Sequence, residues 1–221
     1  MNSIVLDSSS IISISEKCFI KSFAGLSKKA ELVIPKKVEF ESIIKPIGIK
    51  EFELNALRIR MALKEQWLKS IQLTPEFLQL SVKIKDTANN CFLVDQKPFV
   101  LIQDGEAETL ALMKQINASM LVIDERNTRM LIEDIQGLKS YLEHKIGKIT
   151  INEKSALELK RLISGIKVCR SVELIALAFE QGFLDEELEK SKESLEAALY
   201  AVKFSGCAVS EQEIQEYLRN V

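Results

Sequence analysis

The chain has 221 residues, of which 47% are hydrophobic and 28% are charged, as in an ordinary globular protein. Thirty basic and 32 acidic residues give a net charge of −2, so the overall field does not recruit nucleic acid, and such binding needs a local basic patch. No apolar run reaches the roughly 18 residues that span a bilayer. The N-terminus has no basic region followed by a long apolar core, so we expect no signal peptide, no membrane segment and a cytoplasmic location.

Residue counts exclude several classes of site. His144 is the only histidine, which excludes an H-E-x-x-H zinc site and any mechanism that needs two histidines. Neither glycine-rich phosphate-binding motif, G-x-G-x-x-G or G-x-x-x-x-G-K-[ST], occurs. The four cysteines are scattered without a C-x-x-C pair, so we expect free thiols.

Short apolar runs alternate with helical patterns over the first 150 residues. Residues 4–6 indicate a strand buried on both faces that ends at Asp7, and the serines after it suit the start of a helix. The further strand candidates are residues 31–34, 99–102, 120–123 and 147–151. Such alternation is typical of α/β proteins, so we predict a doubly wound parallel sheet of about five strands.

Other stretches are predicted to lie around this sheet. Residues 51–71 have the pattern of a long amphipathic helix, and residues 80–94 alternate in a way that indicates a β-hairpin. From Asn152 onward the pattern is helical only. We therefore divide the chain into a sheet domain at residues 1–151 and a C-terminal helical extension at residues 152–221. The apolar faces of its helices either cover the sheet or form a homodimer interface.

Acidic residues follow several of the predicted strands. Asp7 and Asp124 each come directly after an apolar strand, Glu106 begins a helix, and Glu41 lies in the helix entered from the second strand. Taken alone, Asp7 can cap a helix, and Glu106 is favoured in a first helical turn. Because parallel strands end at one edge of a sheet, the four carboxylates are expected to converge there. Their repulsion implies a bound divalent cation, and oxygen-only ligands favour Mg²⁺ or Mn²⁺.

The same segments resemble the PIN-domain family over about residues 3–151. The resemblance is carried by four pieces: a strand followed by Asp-Ser-Ser-Ser, Val-Ile-Pro-x-x-Val-x-x-Glu, Asp-Gly-Glu-Ala-Glu-Thr-Leu-Ala-Leu and Leu-Val-Ile-Asp-Glu-Arg-x-x-Arg. Gly-Glu-Ala-Glu and Ile-Asp-Glu-Arg are most similar to the prokaryotic, often archaeal, branch. The resemblance implies a metal-dependent endoribonuclease that cuts single-stranded RNA with acids at the carboxyl edge of a parallel sheet.

Carried onto this chain, the resemblance implies Asp7, Glu41, Glu106 and Asp124 as the catalytic acids. Asp7, Glu106 and Asp124 form the implied Mg²⁺ or Mn²⁺ site. Asp7 and Asp124 would be direct ligands, while Glu106 and Glu41 hold metal-bound waters. The ion would lower the pKa of a bound water and stabilise charge on the phosphate.

Neighbouring residues leave alternatives open. Glu39 replaces Glu41 if the helix register differs by one turn, and Glu108 or Glu125 shares the third and fourth roles. Arg126 and Arg129 follow the fourth acid and are predicted to contact the substrate phosphate, although both also suit a solvated helix face.

Partners and alternative functions follow from the same resemblance. Many relatives are toxins of toxin–antitoxin pairs, so an antitoxin or an RNA-processing partner is expected beside the RNA substrate. The long 51–98 stretch and the helical tail exceed the compact family pattern, which indicates an elaborated member. The alternative function is a non-catalytic PIN-like scaffold or regulatory binding module that acts through its helical tail. A receiver-like phosphoacceptor ranks last, because no suitable lysine closes a later strand.

Overall fold

The computed structural model describes residues 2–219. The strands are β1 Ser3–Leu6, β2 Glu31–Pro35, β3 Lys69–Ile71, β4 Phe92–Val94, β5 Lys97–Pro98, β6 Met120–Val122, β7 Thr150–Ile151 and β8 Val168–Cys169. The helices are α1 Ser8–Glu16, α2 Ser22–Leu26, α3 Lys36–Glu39, α4 Lys50–Lys64, α5 Pro75–Asn89, α6 Asp104–Gln115, α7 Arg126–Glu133, α8 Ile135–Ile146, α9 Glu153–Leu162, α10 Ser171–Glu180, α11 Lys192–Lys203 and α12 Glu211–Arg219. A 3-10 turn follows α1 at Phe19–Lys21, and a π-helical turn continues α3 at Phe40–Ile44.

Across these residues, none of the helices has the length and apolar character to cross a membrane.

A five-stranded sheet in the order β3-β2-β1-β6-β8, parallel throughout, forms the centre of the protein. The predicted α/β class and five-stranded parallel sheet are therefore confirmed. The strand order reverses between β1 and β6, where Leu6 pairs with Val122. In open α/β sheets the crevice at the carboxyl end of such a reversal is the usual ligand site.

The central strands send alternate side chains into two separate cores, one on each face of the sheet. Leu6 and Val122 pack with apolar residues of α1, α2, α4 and α10–α12. Val5 and Leu121 pack with those of α5–α9. All four side chains are fully buried, as expected for strands covered on both faces. The apolar faces of the C-terminal helices thus cover the sheet, while a homodimer stays a prediction.

The predicted strand at residues 99–102 is wrong, because this segment has no regular structure. The side chain of Asn89 accepts hydrogen bonds from the N–H groups of Leu101 at 2.7 Å and Ile102 at 2.9 Å. It also donates to the carbonyl of Ile102 at 3.1 Å. At Leu101 and Ile102 an asparagine side chain therefore replaces the partner strand, and the side chains of these two residues are buried in the second core.

The hairpin predicted for residues 80–94 is wrong over most of its length, because α5 continues to Asn89. Ile84 and Ala88 lie on the buried helix face while Val82 is exposed, a helical spacing that resembles strand alternation over this short stretch. A short hairpin of β4 and β5 follows instead. The strand predicted at residues 147–151 contributes only β7, which pairs with β4 in this small antiparallel sheet.

Two strands of the main sheet were not predicted. β3 lies within the stretch predicted as one long helix, but α4 ends at Lys64 and the chain turns at Gln66, where φ is +60°. β8 lies beyond Asn152, where only helices were expected, so that expectation is wrong. It has two residues and is defined by its pairing with β6, and so no sequence pattern marks it. The division of the chain at residue 151 stays a prediction.

Candidate functional site

Asp7 and Asp124 lie at the same edge of the sheet, at the ends of the neighbouring strands β1 and β6. The Asp7 N–H donates to the carbonyl of Val122 at 3.0 Å. Ser9 connects the two acids, because its hydroxyl donates to Asp7 Oδ2 at 2.8 Å and accepts from the Asp124 N–H at 3.2 Å. Both aspartates are 1% exposed. The convergence predicted for these two residues is thus present in the fold.

The Asp7 carboxyl is buried and only half satisfied. Its Oδ2 accepts from the N–H and the hydroxyl of Ser9, whereas its Oδ1 has no hydrogen-bond partner among residues 2–219. Burial is the largest cause that raises the pKa of Asp7 and the charge of Glu106 is the second, whereas Ser9 and the nearby backbone N–H of Ser8 oppose them. The pKa of Asp7 is raised to about 7. A buried oxygen with a free lone pair beside a second carboxylate is suited to a cation.

Glu106 and Glu41 approach this point from α6 and from the π-helical turn. Glu106 lies in the first turn of α6, where its Oε2 accepts from the N–H of Gln103 at 2.9 Å. Burial and then the charge of Glu106 raise the pKa of Glu41, which is partly buried. A Cβ atom at Gly105 would overlap the Glu41 carboxylate, so that carboxylate lies directly against α6. Asp7, Glu106 and Glu41 therefore form a row of interacting acids.

Asp124 differs from these three acids because both of its oxygens are bound by Ser171 at the start of α10. Oδ1 accepts from the backbone N–H at 2.7 Å, and Oδ2 accepts from the hydroxyl at 2.6 Å. Both bonds are buried. The charged neighbour that raises the pKa of Asp7 is Glu106. Asp124 therefore shares the edge with Asp7 but is engaged in holding α10.

The alternative glutamates are occupied elsewhere. Glu39 forms an ion pair with Lys36 at 2.7 Å and a short hydrogen bond with Ser70. Glu125 caps α7 by accepting from two backbone N–H groups of that helix. Glu108 accepts from the N–H of Lys37 at 3.3 Å. Glu41, rather than Glu39, is the acid of that helical segment that interacts with Glu106.

The two arginines predicted to contact substrate lie beside Tyr141 and Glu133. The Arg126 guanidinium lies 4.8 Å from the ring centroid of Tyr141. Arg129 Nε lies 3.7 Å from Glu133 and has no hydrogen-bond partner among the described residues. Arg129 lines a cavity of about 330 Å³ beside the end of β8. Their phosphate-binding role stays a prediction.

The donor chemistry of the acidic row fits a hard divalent cation only in part. Asp7, Glu106 and Glu41 offer carboxylate oxygens, one of them buried and unpartnered. Over residues 2–219, however, no group of three or more His, Cys, Asp or Glu side chains is close enough to hold a metal as it stands. The row supplies ligands and negative charge, but not a closed coordination shell.

Sequence reasoning missed three residues that shape this site. The sequence predicts Ser9 only as part of a helix start, although its place two residues after Asp7 suits a bond back to that carboxyl. Gly105 leaves room for Glu41, and Ser171 binds Asp124 from a segment 47 residues away. Nothing in the local sequence signals these two roles.

Comparisons of the chain with protein-family models, curated proteins and solved structures gave no significant match.

Proposed function

We propose that the protein is a Mg²⁺- or Mn²⁺-dependent ribonuclease of the PIN type that hydrolyses phosphodiester bonds of single-stranded RNA. The observation that carries this proposal is the buried, unpartnered Oδ1 of Asp7, beside the charge of Glu106, at the carboxyl edge of the sheet. A carboxyl in such surroundings keeps its charge at neutral pH when a cation lies beside it. The reversal of strand order next to Asp7 and the resemblance to the PIN family support the same location.

The acids have distinct roles in this proposal. Asp7 would hold the ion through Oδ1, while Glu106 and Glu41 would supply the remaining protein oxygens or hold metal-bound waters. When bound, the ion lowers the pKa of a water ligand and stabilises charge on the phosphate. Ser9 fixes the orientation of Asp7 through Oδ2. The bonds of Asp124 to Ser171 favour a positioning role, in which it holds α10 at the edge, over that of a direct ligand.

RNA cleavage tests the proposal directly. Wild-type protein is incubated with a labelled single-stranded RNA and Mn²⁺, beside Asp7→Asn and the control Glu39→Gln. We expect Asp7→Asn to lose at least about 100-fold in rate, because it removes the buried charge that holds the ion. Glu39→Gln should keep wild-type activity, because Glu39 is bound to Lys36 and Ser70. Equal rates for wild type and Asp7→Asn, or no cleavage with any divalent metal, would contradict the proposal.

A non-catalytic PIN-like scaffold is the second candidate. It is favoured by the engagement of Asp124 with Ser171 and by the lack of a tight group of metal-ligating side chains among the described residues. Such a scaffold would bind an antitoxin or an RNA-processing partner through the C-terminal helices. It predicts no heat of binding when Mn²⁺ is titrated into the protein, whereas the ribonuclease predicts saturable binding that Asp7→Asn abolishes.

A further inference from the structure

The π-helical turn at Phe40–Ile44 begins with an exposed aromatic residue, Phe40, followed directly by the predicted site acid Glu41. The N–H of Lys45 donates to the carbonyl of Phe40 at 2.8 Å, five residues back, which is the bond that defines such a turn. Single π turns are rare and frequently occur at functional sites. Here Glu41 lies against α6 while the side chain of Phe40 is 45% exposed. An aromatic ring therefore faces solvent one residue away from a predicted catalytic acid.

One lysine, Lys37, lies near this ring, and a second, Lys45, directly follows the π-helical turn. Lys37 Nζ lies 5.9 Å from the centroid of the Phe40 ring and 3.4 Å from Asp104 Oδ2. Lys45 is exposed and forms no ion pair among residues 2–219. The charges of both lysines act on the Glu41 carboxyl and lower its pKa, against the effect of burial. Positive charge is thus present close to the Glu41 carboxyl, on residues that flank Phe40 in the chain.

We infer that Phe40 is a stacking platform for a base of single-stranded RNA, with Lys37 and Lys45 binding the adjacent phosphates. This inference rests on the proposed ribonuclease function and names how its substrate is held. Proteins that bind single strands combine basic side chains along the backbone with aromatic rings on which bases stack. The net charge of −2 gives no general attraction, so a local basic pair is needed beside the repelling acids.

Charge complementarity favours RNA over a protein partner at this surface. An apolar partner would cover Phe40 and the exposed Ile44, but it would leave the Lys45 ammonium without an acceptor. A nucleotide satisfies both features at once, because its base covers the ring and its phosphate accepts from the lysines.

RNA binding in EDTA tests the inference without cleavage. The probe is a labelled adenine homo-oligomer followed by fluorescence anisotropy, with wild type, Phe40→Ala, Phe40→Trp and Phe204→Ala. We expect Phe40→Ala to weaken binding by at least about fivefold, and Phe40→Trp to retain it. Phe204 is the matched control because it is 73% exposed and also has a lysine, Lys203, 5.9 Å from its ring. It lies just after α11, which carries none of the predicted acids, so Phe204→Ala should bind as wild type does.

The outcomes separate this inference from the proposed function. Loss of binding confined to Phe40→Ala, with rescue by Phe40→Trp, supports the platform. Equal affinity of wild type and Phe40→Ala, an equal loss in Phe204→Ala, or no RNA binding by the wild type would overturn it. Because binding is read without metal, a Phe40-dependent affinity in a protein that never cleaves RNA supports the platform and counts against catalysis. RNA cleavage by a protein whose RNA binding does not depend on Phe40 supports catalysis and counts against the platform.

Discussion

The carboxylate of Asp124 accepts two buried hydrogen bonds from Ser171, at 2.7 Å from the backbone N–H and at 2.6 Å from the hydroxyl. The two residues are 47 positions apart in the chain. Their contact joins the end of β6 to the start of α10. An acid that the family resemblance implies as a metal ligand is therefore also the anchor of the C-terminal helices.

Ser171→Ala tests this anchor. The substitution leaves Asp124 Oδ2 without its hydroxyl donor in a buried site, and hydrogen bonds to charged groups contribute about 1.5–3 kcal/mol. We expect the free energy of unfolding, measured with urea, to fall by about 2 kcal/mol. Ser42→Ala is the control, because Ser42 is equally buried but donates to the neutral carbonyl of Val38. It should cost about 1 kcal/mol. Equal losses would contradict a charge-assisted anchor.

The raised pKa of Asp7 predicts how stability depends on pH when metal is chelated. The folded protein retains a proton on Asp7 up to about pH 7, whereas the unfolded chain releases it near 3.8. Since the folded state binds more protons in this window, stability falls as pH rises from the lower value through the higher one. Asp7→Asn removes this dependence. Between pH of about 4.5 and about 8, wild type should lose on the order of 3 kcal/mol relative to the variant in urea denaturation.

Asp104→Asn is the control for that measurement, because the pKa of Asp104 is lowered whereas that of Asp7 is raised. A hydrogen bond from Lys85 lowers the pKa of Asp104, so Asp104→Asn removes a contribution that is present above the ordinary pKa and lost as pH falls. Its difference from wild type should therefore stay nearly constant over this window and shrink only as pH falls below 3.8, the ordinary value for an aspartate. A wild-type stability curve parallel to that of Asp7→Asn across the window would contradict the buried, proton-retaining state of Asp7.

Gly105→Ala tests whether Mn²⁺ affinity can fall while the stability of the fold is retained. The new Cβ would overlap the Glu41 carboxylate, the end of a flexible side chain that can move away. We expect stability to change by no more than about 1 kcal/mol, because alanine favours the helix. Mn²⁺ affinity in calorimetric titration should fall by about tenfold, because a supporting group has been displaced. Gly25→Ala is the contrast, since its Cβ would overlap the Phe183 ring, and it should reduce stability while leaving Mn²⁺ affinity unchanged.

The sequence predicts the centre of the fold better than its margins. β1, β2 and β6 are buried on both faces, and such strands appear as uninterrupted apolar runs. β3 and β8 are short edge strands, defined by the neighbour with which they pair. Residues 99–102 look the same as a central strand in sequence, but the backbone of Leu101 and Ile102 is bound by the side chain of Asn89. Local composition indicates which segments are buried, but it does not indicate which group a backbone N–H or carbonyl will bond to.

In the candidate site, too, the sequence predicts some features and leaves others unpredicted. The position of Asp7 and Asp124 at one edge follows from two apolar strands that each end in an acid. Glu39 pairs with Lys36 within α3, whereas Glu41 lies in the π-helical turn, which has no sequence signature here. The hydrogen bonds of Asp124 depend on Ser171, which lies in the segment that the sequence predicts as a separate helical extension. Long-range partners decide which acids remain available to a cation.

Anomalous diffraction from a crystal soaked in Mn²⁺ is the most direct measurement of whether this row of acids binds metal. We expect one strong peak bound to Asp7 Oδ1 and to a carboxylate oxygen of Glu106 or Glu41, with the Asp124–Ser171 bonds intact. No peak at Asp7, or a peak elsewhere with Asp7 Oδ1 hydrogen-bonded to a neighbouring side chain, would contradict the proposed metal site and the ribonuclease built on it.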